Sequence, residues 1–218
     1  MCFSAAASFG AGAILCTAGA FTLSKVRKPS QLAFAAIPFF FGIQQLSEGF
    51  VWISLTHVEY AKWKDAAVHV FSFFSHVLWP VWVPFSVLLF EQDSKKKRFL
   101  FPIFMVALLL SLTEVYFISV QGVQARIDGH HVEYYIAFPS LFISISEIVY
   151  GLVTIVPCFI SSYKNMKWFA IVLIVSIVAA DYFYHRWMIS VWCFFAALLS
   201  TIIYWIIKQL PVTGQRTA

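Results

Sequence analysis

Charged residues are scarce in this chain, and their scarcity decides its class. Only 11% of the 218 residues are charged, whereas 61% are hydrophobic and 19% are aromatic. A soluble domain carries about 25% charged residues. The mean hydropathy of +0.82 points the same way. We therefore expect an integral membrane protein whose solvent is lipid.

Soluble segments are also missing, because seven apolar stretches fill the chain. A helix needs about 20 such residues to cross a bilayer. We predict an all-α fold, a single seven-transmembrane helix bundle over residues 1–218, with spans at Phe3–Leu23, Leu32–Thr56, Ala66–Phe90, Phe99–Val120, Leu141–Ser161, Trp168–Tyr184 and Met188–Ile207. No internal repeat is visible, although many carriers are built from two related halves.

Basic residues are nearly absent from every second loop. Eleven of the 15 lie on one side of the predicted bundle: Lys25, Arg27, Lys28, Lys95, Lys96, Lys97, Arg98, Lys164, Lys167, Lys208 and Arg216. The positive-inside rule places that side in the cytoplasm, the N-terminus outside and the C-terminus inside. The net charge of +5 reflects this asymmetry. We therefore expect the lipid bilayer of a cell membrane as partner, and no nucleic acid.

Signatures of several cofactor-binding membrane proteins are missing. The last stretch has only Lys208, at its inner end, so a retinal Schiff base has no lysine. It also has no histidine, unlike the HxxxH zinc helix of the ceramidase and adiponectin-receptor group. His69 and His76 share one helix and cannot ligate both faces of one haem, which argues against haem. The four cysteines form no CxxC pair.

Ionisable residues inside the apolar stretches concentrate in the predicted outer half. A rise of about 1.5 Å per residue places them at or within about 15 Å of the outer ends. Such residues usually face the bundle interior and mark a functional site. The candidate ligands are Glu48, His69, His76, Glu114, Glu147, Asp181 and His185.

Helical spacing joins further polar residues to this set. Residues three or four apart share a helix face, as do Gln44 with Glu48, Ser72 with His76, Ser111 with Glu114, and Ser144 with Glu147. We predict one shared polar pocket that opens outward. Its other lining residues would be Gln44, Gln45, Ser72, Trp192, Cys2 and Cys193.

Two local features bear on access to that pocket. The connection Gln121–Ser140 contains Asp128-Gly129 between two alternating runs, which predicts a hairpin that could cover the outer mouth. Pro80 and Pro84 predict a bend in the third span just below His76.

Three segments resemble a family of mainly bacterial multi-pass membrane proteins that begin MCFSA-x-ASF. They are Met1–Ala5 with Ala7–Phe9, Phe41–Leu46 with Glu48, Gly49, Val51 and Trp52, and Ser190–Ala196. The resemblance implies a bacterial-type inner membrane. The family is a domain of unknown function, so the resemblance implies no activity.

The residues support three hypotheses. Four carboxylates in one dry pocket cannot all stay ionised, so protons, histidines or a bound cation must compensate them. The first hypothesis is a carboxylate and imidazole site for Zn, Fe or Mn, which could also be catalytic on a lipid-like or small substrate. The second is a proton- or cation-coupled transporter or sensor. The third is a structural polar network, and whether the protein is an enzyme stays open.

Overall fold

The computed structural model describes residues 4–184 and 188–210, and it is mostly helical. The helices are α1 Ala5–Leu23, α2 Leu32–Ala35, α3 Ile37–Thr56, α4 Lys64–Ser72, α5 Trp79–Phe90, α6 Ser94–Gln121, α7 Ser140–Ile160, α8 Lys164–Tyr184 and α9 Met188–Gln209. Short 3-10 turns cover Pro29–Gln31 and Val58–Trp63, and a π-helical segment covers Phe73–Leu78. Two strands complete the fold, β1 Gln124–Asp128 and β2 His131–Tyr135.

Five helical stretches of the described chain are long and apolar enough to cross a membrane: Ala5–Leu23, Val58–Phe90, Ser94–Gln121, Ser140–Ile160 and Lys164–Phe183. The membrane class therefore agrees with the composition. Helix α3, a predicted span, is not among the five because Gln44, Gln45 and Glu48 lower its hydropathy. All three side chains are buried between helices. The seventh predicted span forms helix α9, which is also not among the five.

The helices pack side by side into a bundle. From α5 onward each helix contacts its neighbour in sequence, and α9 returns to contact both α1 and α3. At one end of the bundle the loop after α1 contacts the end of α9 through Arg27 and Leu210, and the loop after α5 contacts the loop after α7 through Glu91 and Ser162; we call it the basic end. The strands lie at the other, which we call the hairpin end.

The close contact between α1 and α3 depends on glycines. A Cβ atom added at Gly19 would lie 2.5 Å from the backbone nitrogen of Phe39, and one added at Gly42 would lie 2.5 Å from Cys16 Sγ. Both separations are too short for real atoms, so only glycine permits this distance between the helices. Small residues at a helix contact allow two membrane helices to approach closely.

The third predicted span contains the π-helical segment rather than a simple bend. Pro80 has no N–H to donate to the preceding turn. The carbonyl of Ser75 instead accepts a hydrogen bond from Tyr150 Oη of α7 at 3.0 Å. The carbonyl of Val77 accepts one from Ser111 Oγ of α6 at 2.9 Å. Neighbouring helices thus satisfy two carbonyls of this segment, as irregular backbone within a membrane requires.

The predicted hairpin is confirmed. Strands β1 and β2 pair antiparallel with Asp128 opposite His131, so the turn consists of Gly129 and His130. Gly129 has a φ of 61°, which glycine adopts without strain. The ring of Tyr134 stacks on Phe71 of α4 with centroids 4.3 Å apart. The hairpin therefore covers the ends of α3 and α4, where its buried side chains join one apolar cluster: Val51, Trp52, Ala67, Val68, Phe71, Val123, Ala125, Val132 and Ile136.

Candidate functional site

His76 and Glu114 form the centre of the candidate site. His76 lies in the π-helical segment and Glu114 lies on α6, and the atoms His76 Nδ1 and Glu114 Oε2 are 3.6 Å apart. The carboxylate side chain is 4% exposed, whereas the imidazole keeps 19%. Ser111 and Glu114 both face this segment, as their spacing predicted. The histidine is therefore the more accessible member of a buried acid–imidazole pair.

Ser72 extends the site by one helical turn. It lies four residues before His76, so the two side chains share a face. Ser72 is fully buried, and its hydroxyl has no hydrogen-bond partner among the described residues. Glu114 Oε2 has no hydrogen-bond partner there either, because 3.6 Å from His76 is too long for a hydrogen bond.

Helix α3 contributes a second row of buried polar groups. Gln44 Oε1 accepts a hydrogen bond from Trp79 Nε1 at 2.7 Å. Gln45 Nε2 donates to Glu48 Oε2 at 3.0 Å. Gln44, Gln45 and Glu48 are each at most 2% exposed. These buried polar side chains of α3 thus have hydrogen-bond partners, and α3 itself contacts both α1 and α4.

Three predicted site residues point away from the interior. His69 is exposed and its Nδ1 lies 2.7 Å from the carbonyl oxygen of Asp65. Glu147 and Asp181 are also exposed. On α7 the buried residue of that turn is Ser146, next to Glu147. Spacing defines a shared helix face but not its direction, and the shared pocket expected for these three side chains stays a prediction.

The remaining predicted residues fall outside what the structure describes. His185 and Cys2 lie outside the described residues, as do the side chains of Trp192 and Cys193. Within residues 4–184 and 188–210, no group of three or more histidine, cysteine, aspartate or glutamate side chains is arranged to hold a metal ion.

Three phenylalanines cover the acid–imidazole pair on the side of the hairpin end. Phe138, just after β2, has its ring centroid 6.0 Å from that of His76. It packs against Phe117 at 5.6 Å and Phe142 at 5.3 Å, and those two rings are 4.7 Å apart. We call Phe117, Phe138 and Phe142 the aromatic cluster. Through Phe138 it packs against His76 on the side of the hairpin end.

Two depressions in the surface of the described part of the chain lie elsewhere. One is lined by Cys16, Thr17, Ala20, Phe21 and Ser24 on the outer face of α1. Another lies at the basic end between the start of α8 and the end of α9. Neither contains a residue of the predicted pocket. Neither of them reaches the acid–imidazole pair, whose imidazole keeps 19% exposure.

A family comparison places the chain among relatives. The chain belongs to a family of unknown function, DUF6629. The family model matches residues 1–218, so the whole chain is covered. No curated protein and no solved structure matches the chain. The match confirms the resemblance to a domain of unknown function. The candidate chemistry therefore rests on the geometry of this chain.

Three residues with specific contacts or deep burial were not considered in the sequence analysis of this family member. Phe138 was considered only as part of the connection Gln121–Ser140, which was predicted to cover the outer mouth of the pocket. Tyr150 carried no signal, because its partner lies 75 residues away in the chain. Glu91 stands at the end of α5 among polar residues that resemble an ordinary loop, yet its side chain is fully buried.

Proposed function

We propose that this chain is a seven-span membrane protein, with its N-terminus outside, that binds and releases a proton at Glu114 and His76. The pair would serve a proton-linked transporter or sensor. The observation that carries the proposal is the buried carboxylate in contact with a histidine at 3.6 Å. The distribution of basic residues favours an outside location for the hairpin end, so the proton would be exchanged with the outer solution.

The energetics of a buried charge favour proton binding at this pair. A lone carboxylate buried in a membrane bundle is costly, and partners or protons offset that cost. Histidine is the side chain that changes charge near neutral pH. A proton held between the imidazole and the carboxylate leaves the pair neutral overall. Loss of that proton leaves one uncompensated negative charge.

The π-helical segment gives the pair a connection to other helices. His76 lies between Ser75, whose carbonyl is held by Tyr150 of α7, and Val77, whose carbonyl is held by Ser111 of α6. Single-turn π segments occur frequently at functional sites. A change in charge at His76 would therefore act on three helices at once, and that is what a coupling element needs.

The test is proton uptake by the purified protein. A pH jump in weakly buffered detergent solution, followed with an indicator dye, should show that the wild type takes up about one proton per chain more than Glu114→Gln does. Infrared difference spectra should show a carboxyl band assigned to Glu114. Glu114→Gln should lack that one proton and the carboxyl band, and His76→Asn should shift the pH at which the band appears.

Glu59→Gln is the matched control, because Glu59 is an exposed carboxylate in a 3-10 turn. It should leave the infrared band unchanged. Full uptake with an unaltered carboxyl band in Glu114→Gln would refute the proposal, provided that the variant elutes as a folded species in size-exclusion chromatography.

A further inference from the structure

Ser72 and Ser8 are buried helical serines whose hydroxyls have no hydrogen-bond partner among the described residues, and of the two only Ser72 lies one helical turn from His76. Five other buried helical serines donate their hydroxyl to a carbonyl three residues earlier, at 2.6 to 3.0 Å: Ser47, Ser54, Ser86, Ser146 and Ser176. That local bond is the usual solution for a serine within a helix. Ser72 is 0% exposed and makes no such bond with the described residues. Its hydroxyl is free to bind something else.

Glu114 also has a buried side-chain atom without a hydrogen-bond partner. Its Oε2 atom is buried, and within the described residues it has no hydrogen-bond donor. His76 joins the two groups, because it shares a face with Ser72 and contacts Glu114 at 3.6 Å. A buried polar group without a hydrogen bond is unfavourable. Two of them around one histidine indicate a site that is completed by a third species.

The chemistry of the site defines that species. It must donate hydrogen bonds to the carboxylate of Glu114, and it can donate to Ser72 Oγ and to the unprotonated nitrogen of His76. It should carry one positive charge, to compensate one carboxylate. It must also tolerate the aromatic cluster, whose rings favour cations over their faces. A small ammonium ion meets all of these conditions.

We propose that Ser72, His76 and Glu114 bind a small primary ammonium cation that replaces the proton. This inference rests on the proposed function and names the class of its ligand. The exchange is balanced in charge, since one ammonium ion enters as one proton leaves the pair. The aromatic cluster must part to admit the ligand, because its rings are 4.7 to 5.6 Å apart and in mutual contact.

The composition of the site favours ammonium over a transition metal. Zinc sites in proteins generally use three or four side-chain ligands. The described residues supply one carboxylate and one imidazole here, and no larger group of ligands. Ammonium, by contrast, needs three hydrogen-bond acceptors and one negative charge, and Ser72, His76 and Glu114 provide that number.

The test uses methylammonium as the probe. Radiolabelled methylammonium should bind saturably to the purified wild type, more tightly as pH rises, and should release about one proton per bound ion. Glu114→Gln should remove detectable binding. Ser72→Ala should weaken it about tenfold, as expected for one hydrogen bond to a charged group. Ser86→Ala is the control, because Ser86 is equally buried but bonds its own helix.

Each other outcome has a defined meaning. Proton uptake without saturable methylammonium binding would overturn the inference and leave the proposed function standing. If the wild type showed neither proton uptake at the pair nor saturable methylammonium binding, the inference and the proposed function would both be overturned. Binding that survives Glu114→Gln would place the ligand elsewhere. Elemental analysis of the same untagged protein completes the test, since about one transition metal per chain that is lost in Glu114→Gln and His76→Ala would replace ammonium with a metal.

Discussion

Glu91 is the residue whose carboxylate is most completely bound at the basic end. Its Oε1 accepts hydrogen bonds from the backbone amides of Gln92 and Asp93, and its Oε2 accepts one from Ser162 at 2.6 Å. Burial alone would raise the pKa of Glu91, but the three amide donors together hold that pKa below its ordinary value. One carboxylate thus joins the α5–α6 turn to the α7–α8 loop.

Replacing this carboxylate should destabilise the protein. Glu91→Gln removes the charge and brings an amide N–H₂ group toward backbone donors, so we expect a loss of about 2 kcal/mol, typical for hydrogen bonds to a charged group. Because the folded pKa is lowered, the stabilisation is present above the unfolded pKa and disappears as the pH falls through the folded value. Thermal unfolding in detergent across the acid range should show a smaller acid-induced loss in the variant.

Glu59→Gln again serves as the comparison, since that carboxylate is exposed in a turn. It should unfold at nearly the wild-type temperature at every pH. Equal melting temperatures of Glu91→Gln and wild type at neutral pH would show that the three amide bonds add nothing net. The same carboxylate raises the pKa of Tyr163, second to the burial of that phenol, so this pKa should move back toward its ordinary value in Glu91→Gln.

At the scale of elements, the contact of α1 with α3 should be sensitive to single methyl groups. Gly19→Ala would place its Cβ 2.5 Å from the Phe39 nitrogen and 2.6 Å from its Cα, both backbone atoms. A side chain cannot rotate to relieve that overlap, so the helices must separate. We expect a destabilisation of about 1–3 kcal/mol, as for other overpacked interiors, measured by thermal unfolding in detergent.

Two other glycines of α1 calibrate that measurement. A Cβ at Gly12 would meet the end of the Leu46 side chain at 2.7 Å, which can move, so Gly12→Ala should cost less than Gly19→Ala. A Cβ at Gly10 would meet nothing within 4 Å. Gly10→Ala should therefore be neutral or slightly stabilising, since alanine is the better helix former. A ranking in which Gly10→Ala is the most harmful would contradict the proposed packing.

The elements were more predictable than the partners of their side chains. Apolar length predicted the helices within a few residues, but α6 begins at Ser94 rather than Phe99 because Asp93 caps it by accepting hydrogen bonds from Lys95 and Lys96. Spacing predicted that Ser111 and Glu114 share a face. It could not predict that Glu147 lies on the exposed side of α7, because that depends on which helices surround it.

The π-helical segment shows the same limit. Pro80 predicted a disturbed hydrogen-bond ladder near His76, and the disturbance lies where it was expected. The sequence did not contain the identity of the replacement donors, since Ser111 and Tyr150 come from helices 34 and 75 residues further along. The acid–imidazole pair therefore followed from depth and residue type, whereas its closure by the aromatic cluster required the fold.

At the scale of the whole molecule, the open question is how many helices cross the membrane and in which direction. The two ends of the chain cannot answer it, because five spans and seven spans both place the termini on opposite sides. Internal positions can. If α3 did not cross, Glu59 and the preceding loop would lie on one side of the membrane, and the side of Lys96 would be reversed.

Seven spans with the N-terminus outside place Glu59 outside and Lys96 inside. Glu59→Cys and Lys96→Cys, each in a background without the four native cysteines, should therefore react differently with a membrane-impermeant thiol reagent. We expect labelling of Glu59→Cys in intact cells and of Lys96→Cys only after permeabilisation, because translocating the Lys95–Arg98 cluster is unfavourable. The opposite pattern would turn the hairpin end toward the cytoplasm. His76 and Glu114 would then exchange protons with the inner solution, and the direction of any coupled movement would be inverted with them.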